Sequence, residues 1–239
     1  MKKTLSILAL AFFTIASSAQ SLIPIKYGIK AGLNFTNLNI TSVIDGVQPT
    51  DNSSQIDFAA GFIVHIPLSD EWFIKPELLY SQKGGSFNYA FTHDYESNQR
   101  DEYKTTNQLT LSYVELNPTI SYKVTDKLAL NFGPSVSFLI GEKYNYTKDT
   151  EGETNNTTHV LTDGLLETES LDLGLNLGVS YFFTEHFFVD TRVYTGFLEV
   201  ATATQPYEII IVNGTQIDTP EPAYNLKNRS IVLSIAYLF

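Results

Sequence analysis

Two histidine-containing pairs in polar segments are the side chains of this sequence that could carry catalysis. His93 is followed by Asp94, and His159 lies four residues before Asp163. Either pair could activate a serine for acyl transfer. The four histidines of the chain show no metal-ligand spacing such as HxxxH. Such neighbours arise readily in polar loops, so the sequence favours a protein that is not an enzyme.

The segment 143–170, which reads KYNYTKDTEGETNNTTHVLTDGLLETES, is acidic and could bind calcium through its carboxylates. The spacing of Asp149 and Glu153 lacks the full calcium-loop pattern, which ends in a bidentate Glu at position 12. A solvated acidic loop is the preferred interpretation. We therefore expect neither a metal nor a cofactor.

A third set of polar residues consists of charges that alternate with apolar side chains. These charged residues are Lys30, Lys75, Glu77, Glu115, Lys123, Asp172, Asp190 and Arg192. Each falls on the face of its segment opposite the apolar one, and the two signs are nearly balanced. We predict that they form a charge network that fills the lumen of a narrow barrel, with His65 on the same face. The alternative places these charges on the solvated outer face of a lipocalin-like secreted barrel.

The elements that must position these charges are β-strands, because apolar residues recur at every second position. Leu171, Leu173, Leu175 and Leu177 illustrate the pattern, with Asp172 on the opposite face. Aromatic residues make up 13% of the chain, which also suits pleated structure. Eight strands are predicted, at 26–38, 56–68, 72–88, 108–124, 128–143, 169–183, 187–200 and 227–239.

The connections between the predicted strands are of two kinds. Three are tight, at 69–71, 125–127 and 184–186, and the last contains His186 as a turn residue. The other four are long and polar, at 39–55, 89–107, 144–168 and 201–226. Short turns therefore alternate with long loops. This pattern predicts an all-β fold, an eight-stranded antiparallel up-and-down transmembrane β-barrel with short periplasmic turns and long extracellular loops.

The N-terminal segment MKKTLSILALAFFTIASSAQ has two lysines, an apolar run and small residues before Gln20. This is the plan of a secretory signal peptide. We predict a signal peptide at 1–19 and one barrel domain at 20–239, in the outer membrane with both termini periplasmic. The chain has no cysteine, and its net charge of −11 argues against nucleic acid as a partner.

Several segments resemble the PorT-like outer-membrane β-barrel family of Bacteroidetes-type bacteria. They include FIKPELLYSQKGGSF, YVELNPTISYKV, LDLGLNLGVSYFF and NRSIVLSIAYLF, in order from about residue 26 to the end. Asn117 between Leu116 and Pro118 departs from the E-I-P-type motif often seen there. The resemblance implies an integral outer-membrane barrel and says little about activity. The terminal strand also resembles the signal read by the barrel-assembly machinery, with Tyr237 and Phe239 as its aromatic residues.

The expected role is non-enzymatic, either structural or in surface interaction. The expected partners are outer-membrane lipid and lipopolysaccharide, the barrel-assembly machinery during biogenesis, and an unknown protein or glycan at the external loops. Tyr95, Tyr103, Tyr144 and Tyr146 could serve as contact rings, although Tyr144 is better interpreted as part of the outer aromatic girdle. The alternatives are an accessory role in protein secretion or gliding, a small-solute porin, and a lipid-modifying enzyme.

Overall fold

The fold is all-β, and the computed structural model describes most of the chain. The backbone is described for residues 24–42, 51–94, 100–150, 153–159, 166–204, 210–212, 215–217 and 223–239. The predicted signal peptide lies outside these residues. We number the eight long strands β1 to β8: Lys26–Ser42, Gln55–Pro67, Trp72–Asp94, Arg100–Lys123, Leu128–Thr150, Leu171–Phe182, Phe187–Gly196 and Ala223–Leu238. The described residues form no helix long and apolar enough to cross a membrane.

The eight strands form a closed antiparallel ring in the order β1 to β8. Each strand pairs with its neighbours in sequence, and β1 also pairs with β8, with Leu33 opposite Leu233. The predicted up-and-down topology with eight strands is therefore confirmed. Because the first and last long strands pair with each other, the ring has no open edge.

Six strand ends predicted from the sequence were wrong by four residues or more, all at the end of the ring opposite the tight turns, and the three largest differences are in β3, β4 and β5. β3 and β4 stay paired as far as Asp94 and Arg100, and β5 continues to Thr150. Thr and Tyr are frequent in these extensions and suit a pleated ladder even when no apolar face is needed. Short strands also occur in the predicted loops, at Asp51–Ser53, Glu153–His159, Leu166–Thr168, Ala201–Thr204, Ile210–Val212 and Thr215–Ile217.

The three tight connections share one hydrogen-bonding pattern. In the turn between β7 and its predecessor β6, the Thr184 hydroxyl oxygen accepts the backbone N–H groups of His186 and Phe187, at 3.2 and 3.0 Å. Ser69 and Thr125 play the same part in the other two turns. All three turns lie at the same end of the ring, which we call the turn end. The opposite end is the loop end.

Side chains alternate between a buried interior and an exposed exterior. In β6, Asn176 is 3% exposed, whereas its neighbour Leu177 is 64% exposed. In the middle of the ring, every long strand exposes large apolar side chains. They include Leu33, Phe62, Leu78, Val114, Phe132, Leu177, Val193 and Leu233. The apolar surface therefore faces outward and the polar surface faces inward.

Two apolar clusters lie inside the ring, one near each end. The loop-end cluster contains Leu38, Phe87, Leu109, Leu111, Tyr113, Tyr144, Val200, Ala201, Tyr224 and Leu226. The turn-end cluster contains Ile63, Phe188, Ala236 and Leu238, with Phe182 packed against it. Along β7, the charged residues Asp190 and Arg192 follow Phe188 of the turn-end cluster. A polar middle layer therefore separates two apolar layers.

Candidate functional site

The middle layer of the interior contains seven of the eight charged residues that the sequence singles out. Lys30, Lys75, Glu77, Glu115, Asp172, Asp190 and Arg192 are all buried. They project from β1, β3, β4, β6 and β7 because each occupies the inward position of the period-two alternation. Lys123 is not among them: it lies at the last residue of β4, is only partly buried, and forms no ion pair with any described residue.

The half of the network nearer the turn end is organised around two carboxylates. Asp190 binds the ammonium groups of Lys30 at 2.9 Å and Lys75 at 2.6 Å. Glu77 binds Lys30 at 2.9 Å and lies 3.8 Å from Lys75. Lys30 of β1 and Lys75 of β3 therefore share two carboxylates, those of Asp190 in β7 and Glu77 in β3. This arrangement crosses the interior, since β3 and β7 are not neighbours in the ring.

Arg192 links this half of the network to the half nearer the loop end. Its two terminal nitrogens donate to different carboxylates, Glu77 at 2.6 Å and Glu115 at 3.2 Å. Lys83 then joins Glu115, at 2.8 Å, to Asp172, at 3.5 Å. The ammonium group of Lys83 also lies 3.7 Å from the centroid of the Tyr194 ring, within cation–π range.

Neutral polar side chains add hydrogen bonds to three of the four buried carboxylates. Asp190 accepts hydrogen bonds from Ser180 at 2.8 Å and Asn131 at 3.3 Å. Asn117 donates to Glu115 at 2.7 Å, and Asn228 donates to Asp172 at 3.0 Å. A buried charge is tolerated when it is both paired and hydrogen-bonded. These amides and hydroxyls supply the second condition.

With Lys83 included, the network has four cations and four anions and therefore no net charge. The structure records eight ion pairs among these described residues. The interior of an eight-stranded barrel is just wide enough to be filled by side chains. The network and the two apolar clusters lie inside this one. Chemically, the arrangement holds the charges in fixed pairs, and Asp172 Oδ1 and Arg192 Nε are its buried atoms without a hydrogen-bond partner among the described residues.

Sequence reasoning missed Lys83 and misplaced Tyr144. Lys83 shares the parity of Lys75 and Glu77 in β3, so the alternation itself could have identified it. Tyr144 was predicted to lie in the outer girdle, and this prediction was wrong. The side chain is buried in the loop-end cluster, and its hydroxyl donates to Asn107 at 2.5 Å. The cause is a register shift in β5 opposite Ser112 and Tyr113, which leaves one extra residue and reverses the alternation.

The histidines do not form a site with one another or with acidic residues in the part of the chain that is described. His65 lies inside the ring at the turn end, where it stacks on Phe73 with centroids 4.4 Å apart. His186 is in a tight turn and contacts the carbonyl oxygen of Leu238 through Nδ1 at 2.8 Å. No three His, Asp or Glu side chains among the described residues could hold a metal ion.

The structure does not describe the side chains of the other candidate residues. These are His93, Asp94, Tyr95, Tyr103, Tyr146, Asp149, Glu153, His159 and Asp163. At the opposite end, the rings of Tyr237 and Phe239 are exposed on the outer surface and contact each other edge to face at 5.5 Å. The backbone N–H of Phe239 donates to the carbonyl of Tyr27 in β1, at 2.7 Å. The chain end is therefore attached to the strand that closes the ring.

A closed ring of eight antiparallel strands with an apolar exterior and a charged interior is the architecture of an outer-membrane β-barrel. The model of one protein family, described as the outer membrane protein beta-barrel domain, matches residues 16–201. This chain belongs to that family and is an outer-membrane protein. No curated protein sequence matches it.

Solved structures of outer-membrane proteins also resemble the chain, at low identity. Neisserial surface protein A has 10% identity and a TM-score of 0.38, over 89% of this chain and 97% of that chain. OprG from Pseudomonas aeruginosa has 12% identity and a TM-score of 0.39, over 90% and 95%. The outer membrane protease OmpT from Escherichia coli has 10% identity and a TM-score of 0.41, over 93% and 100%. Identities and scores this low say nothing about activity.

Proposed function

We propose that this protein is a non-conducting outer-membrane barrel whose role is structural or in surface interaction rather than enzymatic. The carrying observation is the neutral ion-pair network between two apolar clusters. Solute passage through the ring would have to separate buried pairs such as Arg192 and Glu77, which are 2.6 Å apart. Leaving one member of such a pair buried without its partner is strongly unfavourable. The interior therefore serves to hold the ring together.

The two ends of the ring suggest where partners bind. At the turn end, the connections are tight and have little surface to offer. At the loop end, β3, β4 and β5 continue as long strands beyond the buried middle layer. In the proposed orientation, with both termini in the periplasm, these extensions reach the cell exterior and contact lipopolysaccharide, a protein or a glycan. PorT-like membership remains a prediction from the sequence.

Planar-bilayer recording tests the non-conducting interior. We expect the refolded wild-type protein to give negligible conductance at moderate salt. The matched comparison is Arg192→Ala, which removes the side chain joining the two halves of the network, against Arg229→Ala on the exposed face of β8. A conductance that rises only in Arg192→Ala would support a plug made by the network. Stable nanosiemens-scale steps from the wild type would contradict the proposal.

Surface exposure of the loop end is tested in intact cells. A cysteine placed at the exposed Lys143 should react with a membrane-impermeant maleimide, whereas one at Lys127 in a tight turn should not. The chain has no native cysteine, so each signal reports one position. Labelling at Lys127→Cys but not at Lys143→Cys would invert the proposed orientation. If Lys143→Cys is labelled as expected, cross-linking from the same cysteine would identify the loop-end partner.

A further inference from the structure

A cavity of 470 Å³ opens at the turn end of the ring, separate from the charge network. Its wall includes Lys26, His65, Lys123, Lys127, Phe182 and Leu238. This volume is within the range of small-molecule sites, about 300–1,000 Å³. Leu238 and Phe182 also pack in the turn-end cluster, whose Phe188 ring lies under the ammonium group of Lys75. The cluster therefore lies between the cavity and the network.

The charges around this cavity leave an excess of ammonium groups. Three lysines line it, against two carboxylates, Asp126 and Glu185. Lys26 contacts Glu185 at 3.3 Å, but the Glu185 side chain is 86% exposed, and such surface pairs are weak. Lys123 and Lys127 form no ion pair with any residue that the structure describes. With His65 neutral, the wall carries a net charge of about +1, from three lysines and two acids.

His65 supplies a second, independent feature. Its Nδ1 atom is buried and has no hydrogen-bond partner among the described residues. A buried polar nitrogen without a partner is unfavourable, so a ligand atom that completes this bond would be stabilised. Phe182 and Leu238 form an apolar part of the same cavity wall. The cavity thus combines cationic groups, one unsatisfied polar atom and an apolar wall.

We propose that the turn-end cavity binds a small organic carboxylate with an apolar body. The carboxylate would accept hydrogen bonds from Lys123 and Lys127, and the apolar body would lie against Phe182 and Leu238. One negative charge neutralises the wall, which favours a monoanion over a doubly charged phosphate monoester. This inference is independent of the proposed role of the loop end, because the two sites lie at opposite ends of the ring.

The test uses isotopically labelled protein folded in lipid nanodiscs, with 4-phenylbutyrate as the probe. We expect saturable shifts of the backbone amides at 65–66, 124–127 and 183–186. The matched neutral probe 4-phenylbutanol should bind about tenfold more weakly, because it lacks the charge-assisted hydrogen bonds. Equal binding of the alcohol, or tighter binding of 4-phenylbutyl phosphate, would overturn the carboxylate assignment.

Two variants separate this site from general attraction of an anion to lysine. Lys123→Gln combined with Lys127→Gln should weaken phenylbutyrate binding by about tenfold or more. Lys143→Gln makes the same kind of change at an exposed position near the loop end and should leave binding unchanged. Lys127→Gln alone changes only an exposed turn, so it should not affect folding, and it should give an intermediate loss of phenylbutyrate affinity. Unchanged affinity in the double variant would overturn the proposal.

Discussion

The inner and outer faces of the ring differ in what stabilises their side chains. On the inner face, Asp172 and Asn176 are buried among partners at defined distances, whereas Leu175 and Leu177 on the outer face of the same strand are exposed. The inner face depends on particular atoms meeting, because each charge needs an opposite charge and hydrogen bonds. The outer face depends on composition, because lipid requires only that side chains be apolar. Substitutions should therefore have opposite tolerances on the two faces.

This comparison also decides between the two arrangements that the alternation leaves open. A lipocalin-like barrel would bury its apolar face and expose its charges. Here Phe132 and Leu233 are about half exposed, while Lys75 and Glu77 are 1% exposed. Soluble monomers rarely expose continuous apolar surface on this scale. The exposed apolar face in the middle of the ring is therefore suited to contact with lipid, and the lipocalin-like arrangement is excluded.

The largest expected effect comes from breaking the inner face at Arg192. Arg192→Met keeps much of the side-chain volume but leaves Glu77 and Glu115 without one of their cations. Removing one partner of a buried ion pair costs about 3–5 kcal/mol. We expect a loss of this size in the free energy of unfolding, measured by urea titration of the protein folded in lipid vesicles.

The control for this variant is Arg229→Met, which makes the same change at an exposed position of β8. It should alter the free energy of unfolding by less than about 0.5 kcal/mol, as surface changes usually do. Equal losses in both variants would show that the network contributes nothing specific. A loss confined to Arg192→Met would sharpen the contrast between the faces.

The next largest effect comes from placing a charge on the outer face. Leu175→Arg should cost about 2–4 kcal/mol if the position lies near the middle of the bilayer. Leu175→Met, which keeps the surface apolar, should be nearly neutral. Both are measured by the same urea titration, together with the gel mobility of unboiled samples. If Leu175→Arg folds and inserts like the wild type, the assignment of the outer face is wrong.

Alternation and turn chemistry were sufficient to predict the ring, because both are local. Period-two patterns define the eight strands, and Ser or Thr at the first position of each tight turn repeats three times. The partners within the interior could not be predicted, because Lys83 and Asp172 come from strands that are distant in sequence. Tyr144 was misplaced because a single extra residue in β5 reverses the alternation, and no local pattern marks it.

A smaller effect is expected where the inner face is apolar. Tyr144→Phe removes the hydroxyl that donates to Asn107 in the loop-end cluster, so a buried amide oxygen loses this bond. The expected loss in the free energy of unfolding is about 1–3 kcal/mol. Tyr181→Phe removes an outward-facing hydroxyl and should have little effect. A larger loss in Tyr181→Phe than in Tyr144→Phe would show that the loop-end cluster depends less on particular hydrogen bonds than the middle layer does.

The smallest effect is expected in the tight turns, which belong to neither face. Thr184→Ala removes the hydroxyl oxygen that accepts the N–H groups of His186 and Phe187, but these groups are exposed and water can replace the contact. We expect a loss of about 0.5–1.5 kcal/mol in the free energy of unfolding. Thr184→Ser keeps the oxygen, as Ser69 does in the first turn, and should retain most of the stability. If Ser and Ala are equally destabilising, the methyl group rather than the hydrogen bonds holds this turn, and the shared pattern of the three turns has no energetic meaning.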